Sequence, residues 1–468
     1  MRNVERRLAG LLALVFALLM SGCGDEIVYR DQVAFVDPPP AAANFLGYAD
    51  EEAKKTVCGN CHAGKQAAWA QTKHASAWAS LENSGHSASY CEGCHTVSAL
   101  GNAAETDSVG WTSTHDTRYY DVQCESCHGA GLGHVLNPDA NMKPLAPMGV
   151  DTAFNYGCGE CHSGTHTPFL EEWQESGHSH AYASRETNPS CTKCHEARGI
   201  LEAWGFGKPA HSESPTQYMR QTCALCHDPH NATNDNQLRL SVSVADTSQN
   251  LCMRCHNRRI VPELTSTRGP HAAQAPVLLG MGGWIPASFT FQPRELVATH
   301  GSSSNEKLCV TCHITPFSTP NTATGETFYS TGHTFQATPC VNADGIPTGA
   351  ADCAMTERSF RGCVGCHGTE SAARTAMSVA ELRIETLALE IDSLIVRIPS
   401  TEFSITDGRT STGEGARFNR DMARMSGNAV HNPFYMEALL LASIKQIQTD
   451  YGVRFSSVPM SPQLAPRP

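Results

Sequence analysis

The five-residue pattern Cys-x-x-Cys-His occurs nine times in this chain of 468 residues. The first cysteines of successive motifs are 29 to 34 residues apart through the seventh motif, and then 57 and 54 residues apart. The chain contains 21 cysteines and 22 histidines, so a histidine after every one of nine CxxC pairs is not a chance coincidence. Such spacing predicts an array of repeated binding units followed by a looser tail.

The residues of the nine motifs fall into two sets. The paired cysteines are Cys58 and Cys61, Cys91 and Cys94, Cys124 and Cys127, Cys158 and Cys161, Cys191 and Cys194, Cys223 and Cys226, Cys252 and Cys255, Cys309 and Cys312, and Cys363 and Cys366. The histidines that follow them are His62, His95, His128, His162, His195, His227, His256, His313 and His367. The motifs are numbered 1 to 9 in this order below.

Two cysteines three residues apart lie on one face of a helical turn, so both thiols can add to the two vinyl groups of one haem. The histidine that follows is then the proximal ligand of the iron, and the pattern predicts nine covalently bound haems c. Zinc is the main alternative, but a structural zinc site needs four ligands, and the triplets would have to combine. A redox dithiol predicts one motif near a βαβ unit, which this chain does not show.

The spacing also indicates an internal duplication. The segment WAQTKHASAWAS from Trp69 aligns with WQESGHSHAYAS from Trp173, which places His74 over His178. Motifs 1 to 3 and motifs 4 to 6 are therefore expected to form a duplicated three-haem unit of about one hundred residues. Thirteen histidines lie outside the motifs, enough to give every iron a second imidazole.

Several segments resemble the multihaem cytochrome c superfamily, the branch with tetrahaem carriers, pentahaem nitrite reductase and octahaem hydroxylamine oxidoreductase. They are WAQTKHASAW, VQCESCHGAGLGH, CALCHDPHN, STRGPHAAQ and AVHNPFYMEALL. The resemblance implies that His74, His134, His178, His230 and His431 are distal iron ligands. His271, His300 and His333 join them on count, and the ninth is His115, with His86 and His211 as alternatives. Enzymes of this superfamily commonly have one altered motif or open distal site, whereas all nine motifs here end in histidine, and no catalytic residue is assigned.

The N-terminus is typical of an exported lipoprotein. Residues 1–22 combine a basic head, an apolar run too short to span a bilayer and a small-residue cleavage site, and Cys23 follows directly as the expected lipidated residue. Ordinary secretory cleavage, with Cys23 left as a thiol, is the alternative. Cys340 and Cys353 remain unassigned and are expected to form a disulfide, which an oxidising compartment permits.

The fold class expected is mainly α with much irregular structure: short helices and loops around stacked haems, with amphipathic helices at the C-terminus. Aromatic residues make up only 7% of the chain, so the porphyrins are expected to fill much of the core. The apolar spacing predicts helices over 378–398 and from Pro433 to about Asp450. The expected divisions are a signal peptide (1–22), a lipid-anchored spacer (23–50), the haem array (51–260), a loop-rich segment with haems 8 and 9 (261–370) and a helical scaffold (371–468).

The favoured function is electron transfer through mostly bis-histidine haems, as a membrane-anchored conduit in respiratory or extracellular electron transfer. The formal net charge of −12 argues against nucleic acid as a partner. Redox proteins are the expected partners, including other multihaem cytochromes or an outer-membrane porin, at the periplasmic face or the cell surface. The alternatives are an oxidoreductase for nitrogen or sulfur compounds with one open haem, and a cytochrome filament, which is less favoured.

Overall fold

A computed structural model describes residues 36–138, 143–146, 157–164, 166–180, 188–207, 218–266, 268–403 and 408–452. Cys23, the expected signal peptide and His211 lie outside the described residues. From Pro38 onward the chain forms one compact unit. No helix within the described ranges is both long enough and apolar enough to cross a bilayer.

Short helical segments dominate the chain before residue 370. The α-helices there are Ala63–Trp69, Ala77–Ser84, Glu92–His95, Gly110–Thr114, Cys124–His128, Leu132–Leu136, Phe169–Glu175, Pro189–His195, Ala197–Ala203, Cys223–Cys226, Gln274–Leu278, Cys309–His313 and Val364–His367. The 3-10 turns among them are Pro40–Ala42, Cys58–Asn60, Lys73–Ser76, Ser89–Cys91, Thr117–Tyr119, Cys158–Glu160, Gly177–Ser179, Asp235–Gln237, Thr299–Gly301, Met355–Glu357 and Arg361–Cys363. This agrees with the expected fold class.

Two antiparallel hairpins interrupt the helical segments. Strand Tyr48–Asp50 pairs with Lys55–Thr56, and strand Phe317–Pro320 pairs with Thr327–Ser330 in the register Phe317 to Ser330. The second hairpin turns tightly because Asn321 donates its backbone N–H to Glu326 and Gly325 adopts a φ of 76°, a conformation that favours glycine. The short alternation of these strands gave no usable signal in the sequence.

Buried carboxylates connect the segments of the first hundred residues. Asp121 accepts hydrogen bonds from the Tyr48 hydroxyl, the Lys54 ammonium and the backbone N–H groups of Trp78 and Ala79. Glu125 lies between the two cysteines of motif 3 and accepts from the N–H groups of Leu46, Gly47 and Gly131. Because a buried carboxylate is costly unless hydrogen-bonded, these contacts fix the chain around motif 3.

The C-terminal part is a conventional helical bundle. Its α-helices are Glu370–Ile395, Thr412–Ala423, Asn428–His431 and Pro433–Tyr451, with a 3-10 turn at Ser400–Phe403, and the three long helices pack on one another. Ile384, Leu387, Ile391 and Leu394 are at most 3% exposed, and their spacing of three and four residues places them on one face. This is the largest apolar cluster among the described residues, and each such side chain contributes about 1.5–3 kcal/mol when fully buried.

Polar contacts orient the bundle against the preceding loops. The Asn419 side chain accepts from the Trp284 N–H and donates to the Trp284 carbonyl, each at 2.7 Å, and also donates to the Ser443 hydroxyl. Arg383 forms an ion pair with the buried Glu437 at 2.9 Å. The bundle thereby holds the loop that carries Trp284, beside the chain that leads to motif 8.

Candidate functional site

The CxxCH motifs fold as single helical turns. The N–H of the motif histidine donates to the carbonyl of the first cysteine four residues earlier in motifs 1, 4, 6 and 7, at 2.9 to 3.1 Å. Residues three apart in such a turn point to the same side. The two cysteines of a motif therefore point to the same side of the turn. This is the arrangement needed for both to bind the vinyl groups of one porphyrin.

Eight of the nine motif histidines face a second histidine. The ring centres are 5.9 to 6.5 Å apart in every pair. The pairs are His62 with His134, His162 with His74, His128 with His230, His256 with His178, His195 with His271, His227 with His333, His367 with His300, and His313 with His431.

This spacing fits one metal ion between two imidazoles. A metal–imidazole bond is about 2.0–2.1 Å long, and a ring centre lies about 1.1 Å behind its nitrogen, so two opposed ligands should be about 6.3 Å apart. Two imidazole rings that merely packed against each other would have no reason to share this separation of ring centres. The recurrence of one separation in eight pairs therefore indicates a common ligand geometry, with room for an iron at each.

Backbone carbonyls orient several of these rings. Nδ1 of His227, His313 and His300 donates to the carbonyls of Asn236, Phe335 and Val430, at 2.7, 2.8 and 2.9 Å, and Nδ1 of His128 donates to the Leu145 carbonyl. A ring that donates through Nδ1 presents the lone pair of Nε2. These contacts therefore select the tautomer that can bind iron.

Burial keeps three of the distal candidates neutral. Burial, together with neighbouring imidazoles, lowers the pKa of His74 to about 4, of His178 to about 4 and of His431 to about 3. An imidazole must be unprotonated at the nitrogen that binds a metal. At neutral pH these side chains are in the form that can act as ligands.

His95 of motif 2 differs from the other motif histidines. Its Nδ1 lies 3.3 Å from the Ala77 carbonyl, and no histidine ring within the described ranges lies opposite it at the spacing seen elsewhere. His115, the expected ninth distal ligand, is instead 60% exposed, lies 3.4 Å from Glu92 and contacts the Trp111 ring. His86 is exposed. The assignment of the ninth distal ligand therefore stays a prediction.

Sulfur contacts connect the motifs to one another. In five pairs, cysteines of different motifs influence each other's pKa: Cys58 with Cys124, Cys94 with Cys161, Cys158 with Cys223, Cys194 with Cys255, and Cys252 with Cys309. Three further pairs are within electrostatic range: Cys127 with Cys158, Cys226 with Cys252, and Cys312 with Cys363. The contacts among motifs 1, 2, 3 and 4 have the same pattern as those among motifs 4, 5, 6 and 7.

The remaining cysteines of the described chain are bonded to each other. Cys340 and Cys353 form a disulfide across 13 positions, within the segment that joins the second hairpin to motif 9. The bridge encloses the turn at Asn342, where the side chain accepts from the N–H groups of Asp344 and Ile346.

Sequence reasoning identified the members of the eight pairs but not the pairings. Nothing in the sequence places His74 at motif 4 or His431 at motif 8, because each distal ligand comes from a distant part of the chain. His271 lies in the segment STRGPHAAQ, whereas His300 and His333 lie in long connecting segments with no distinctive pattern around them. Their number was the only signal that could have found them.

Comparisons with known proteins found two matching family models and a similar solved structure. Residues 57–129 match the family described as cytochrome c554 and c-prime, and residues 217–260 match the family described as doubled CXXCH motif. No curated protein shows significant similarity to the chain. A solved structure, that of the outer cell wall cytochrome OcwA, is similar over 76% of each chain with 19% identity and a TM-score of 0.47.

The two family matches contain motifs 1 to 3 and motifs 6 and 7, and the same motif geometry extends along the rest of the described chain. Haem c attached at CxxCH is the group that these residues fit. The chain is a multihaem c-type cytochrome.

Proposed function

We propose that this cytochrome binds nine haems c and passes electrons among them, as a membrane-anchored conduit in respiratory or extracellular electron transfer. The observation that carries the proposal is the set of eight histidine pairs, each spaced for one iron. Each pair combines a proximal histidine of a motif with one distal histidine. If both imidazoles of a pair held one iron, no position would stay open for a substrate, and this favours electron transfer.

The contacts between motifs support a continuous path. Motif 1 meets motif 3, and the series continues through motifs 4, 6, 7, 8 and 9, with motif 2 against motif 4 and motif 5 against motif 7. The histidines give the same neighbours: His128 is within electrostatic range of His62, His162 of His227, and His256 of His313. Bound haem supplies an iron that exchanges single electrons, and the chain sets the ligands and the order.

Haem counting and spin state test the proposal. Mass spectrometry of the purified protein should show nine added haems, and EPR spectroscopy of the oxidised protein should show mostly low-spin ferric iron. A count below nine would remove the corresponding motifs from the path. A predominantly high-spin spectrum would contradict the bis-histidine arrangement and with it the role as a conduit.

A second candidate is an oxidoreductase that acts on a small nitrogen or sulfur compound at motif 2. The observation that favours it is the position of His115, which contacts Glu92 and Trp111 instead of facing His95. Carbon monoxide added to the reduced protein distinguishes the two functions. Binding to one iron, abolished when Cys91→Ser/Cys94→Ser removes the attachment site of motif 2, supports the enzyme, and an unchanged spectrum supports the pure conduit.

A lipid anchor at Cys23 completes the proposal. A lipidated cysteine carries several acyl chains, enough for stable membrane attachment. Residues 24–37 then form a spacer ahead of the compact part of the chain, which begins at Pro38. Redox proteins at the same membrane, including other multihaem cytochromes or a porin, are the partners that this placement implies.

A further inference from the structure

Motif 5 lies beside the main series of motifs instead of within it. Arg254, inside motif 7, donates to the carbonyl of Trp204, which ends the helix Ala197–Ala203 after motif 5, and His195 is within electrostatic range of His256 of motif 7. Motif 7 in turn meets motif 6 through Cys226 and motif 8 through Cys309. Electrons that follow the series from motif 6 to motif 8 therefore pass motif 5 without needing it, and motif 5 forms a side branch.

A cationic patch surrounds this branch. It consists of Lys193, inside motif 5, and Arg258, Arg259 and Arg268, from the chain that supplies the distal ligand. The Arg258 N–H donates to the Ala272 carbonyl at 3.2 Å, and Arg258 forms a β-bridge with His271, the histidine that faces His195. The patch is thereby fixed at the edge of the motif 5 site.

Three of the four side chains are open to solvent. Lys193, Arg258 and Arg268 are exposed and Arg259 is half-buried. Burial and then the charge of Arg268 lower the pKa of Arg259, with Arg258 adding to the effect. Two carboxylates lie near the patch: Glu263 acts on Arg259, and Asp421, which is paired with Arg420, has its Oδ2 3.5 Å from the Cβ position of Gly269 beside Arg268.

The equivalent branch in the first unit has the opposite charge. Motif 2 meets motif 4 through Cys94 and Cys161, as motif 5 meets motif 7. Around motif 2, however, the charged neighbours are acidic. Glu92 lies beside His115. Glu160 accepts a hydrogen bond from the Gly101 N–H and lies near Cys94. The two branches thus have equivalent positions among the motifs but opposite charge.

We propose that the cationic patch at motif 5 is the place where a small anionic redox molecule exchanges single electrons with the protein. This inference rests on the proposed function, because it assumes that haem is bound at motifs 5 and 7. The net charge of −12 opposes the approach of a large acidic protein. A small anion experiences only charges within about 8–10 Å at physiological ionic strength, and there the four cations dominate.

Two oxidants of opposite charge test the proposal, ferricyanide and hexaammineruthenium(III). Each takes one electron from a ferrous haem, which becomes ferric, and the oxidant is reduced by one electron. At low ionic strength, Lys193→Glu and Arg268→Glu should each slow the reaction with ferricyanide at least about threefold and should not slow the reaction with hexaammineruthenium(III). The difference should disappear at high salt.

Lys445→Glu is the matched control, since Lys445 is an exposed lysine on the Pro433–Tyr451 helix and its reversal changes the net charge by the same amount. An equal effect of Lys445→Glu would assign the result to net charge and overturn the proposal. Unchanged rates in both patch variants would also overturn it. Arg268→Glu lies outside every motif, so it remains informative if Lys193→Glu impairs haem attachment.

A redox titration separates a second explanation. If the cations serve only to offset haem carboxylates, the variants should shift one reduction potential and change the rates with both oxidants in the same direction, which would contradict the patch as an entry point. Failure of the proposed function is distinguishable from all these results. In that case the wild-type protein would lack haem at motifs 5 and 7 by mass spectrometry.

Discussion

At the scale of single residues, the histidines fall into a proximal set and a distal set. The proximal set follows from the motif alone, because the histidine is covalently next to the second cysteine. His134, His178 and His230 could be proposed as distal ligands because each lies in a patterned segment. Their partners could not be predicted, because the partner depends on how segments 70 or more residues apart pack.

Replacing a distal histidine should change the spin state of one iron. In His134→Ala, the pair with His62 loses its second imidazole, and we expect about one of the nine irons to become high-spin, with EPR spectroscopy as the measurement. Added imidazole should restore the low-spin signal. The control is His166→Ala, which removes an exposed histidine that is not a candidate ligand. If every iron stays low-spin in His134→Ala, then His134 is not a ligand.

At the scale of elements, the C-terminal helices were the most predictable part of the chain. The helix expected over 378–398 is Glu370–Ile395, and it begins earlier because the Thr369 hydroxyl accepts from the Ala372 N–H. Its early turns carry few large apolar residues, so periodicity could not find them. The second helix begins at Pro433 as expected, with Asn432 accepting from the Tyr435 N–H.

Close packing of a glycine gives a prediction for the bundle. A Cβ on Gly415 would overlap the Trp284 indole, so Gly415→Ala should destabilise the bundle by about 1–3 kcal/mol. Gly64→Ala is the control, because nothing lies within 4 Å of its Cβ position in the Ala63–Trp69 helix and alanine favours helix by about 0.5–1 kcal/mol. The midpoint of urea unfolding, followed by circular dichroism, should fall in the first variant only.

The disulfide gives a second prediction at this scale. In a Cys340→Ser/Cys353→Ser variant, the open loop gains freedom in the unfolded state, so the stability should fall by about 3 kcal/mol. Unfolding by urea measures the change. The wild-type protein in the presence of a reductant should approach the variant, while a variant as stable as the wild type under oxidising conditions would show that the bridge adds no stability.

At the scale of the whole molecule, the duplicated pattern of motif contacts could be anticipated only in part. The regular spacing indicated a unit of three motifs. In the structure, motif 1 lies near motif 3 and motif 4 lies near motif 6, so the first and third motifs of each expected unit are neighbours. The charge difference between the two branches had no signature in the motif spacing. It arises from residues such as Arg258 and Glu160, which are adjacent to the branches only after folding.

Membrane attachment is the prediction that concerns the whole chain. With Cys23→Ser the lipid acceptor is lost, so the protein should move from the membrane fraction to the soluble fraction with its haem content unchanged. Fractionation followed by haem staining measures the distribution. The Cys340→Ser/Cys353→Ser variant, which also removes thiols, should stay in the membrane fraction. Retention of Cys23→Ser in membranes would point to attachment by another route.

The long separations within the histidine pairs also constrain how the protein matures. His128 of motif 3 pairs with His230, which follows motif 6, and His313 pairs with His431 near the end of the described chain. During export, the iron site of motif 3 could not be completed until motifs 4, 5 and 6 and then His230 had emerged. Once every pair holds an iron, each pair would connect two segments that are distant in the sequence. A protease cut in one surface loop would then leave the fragments held together.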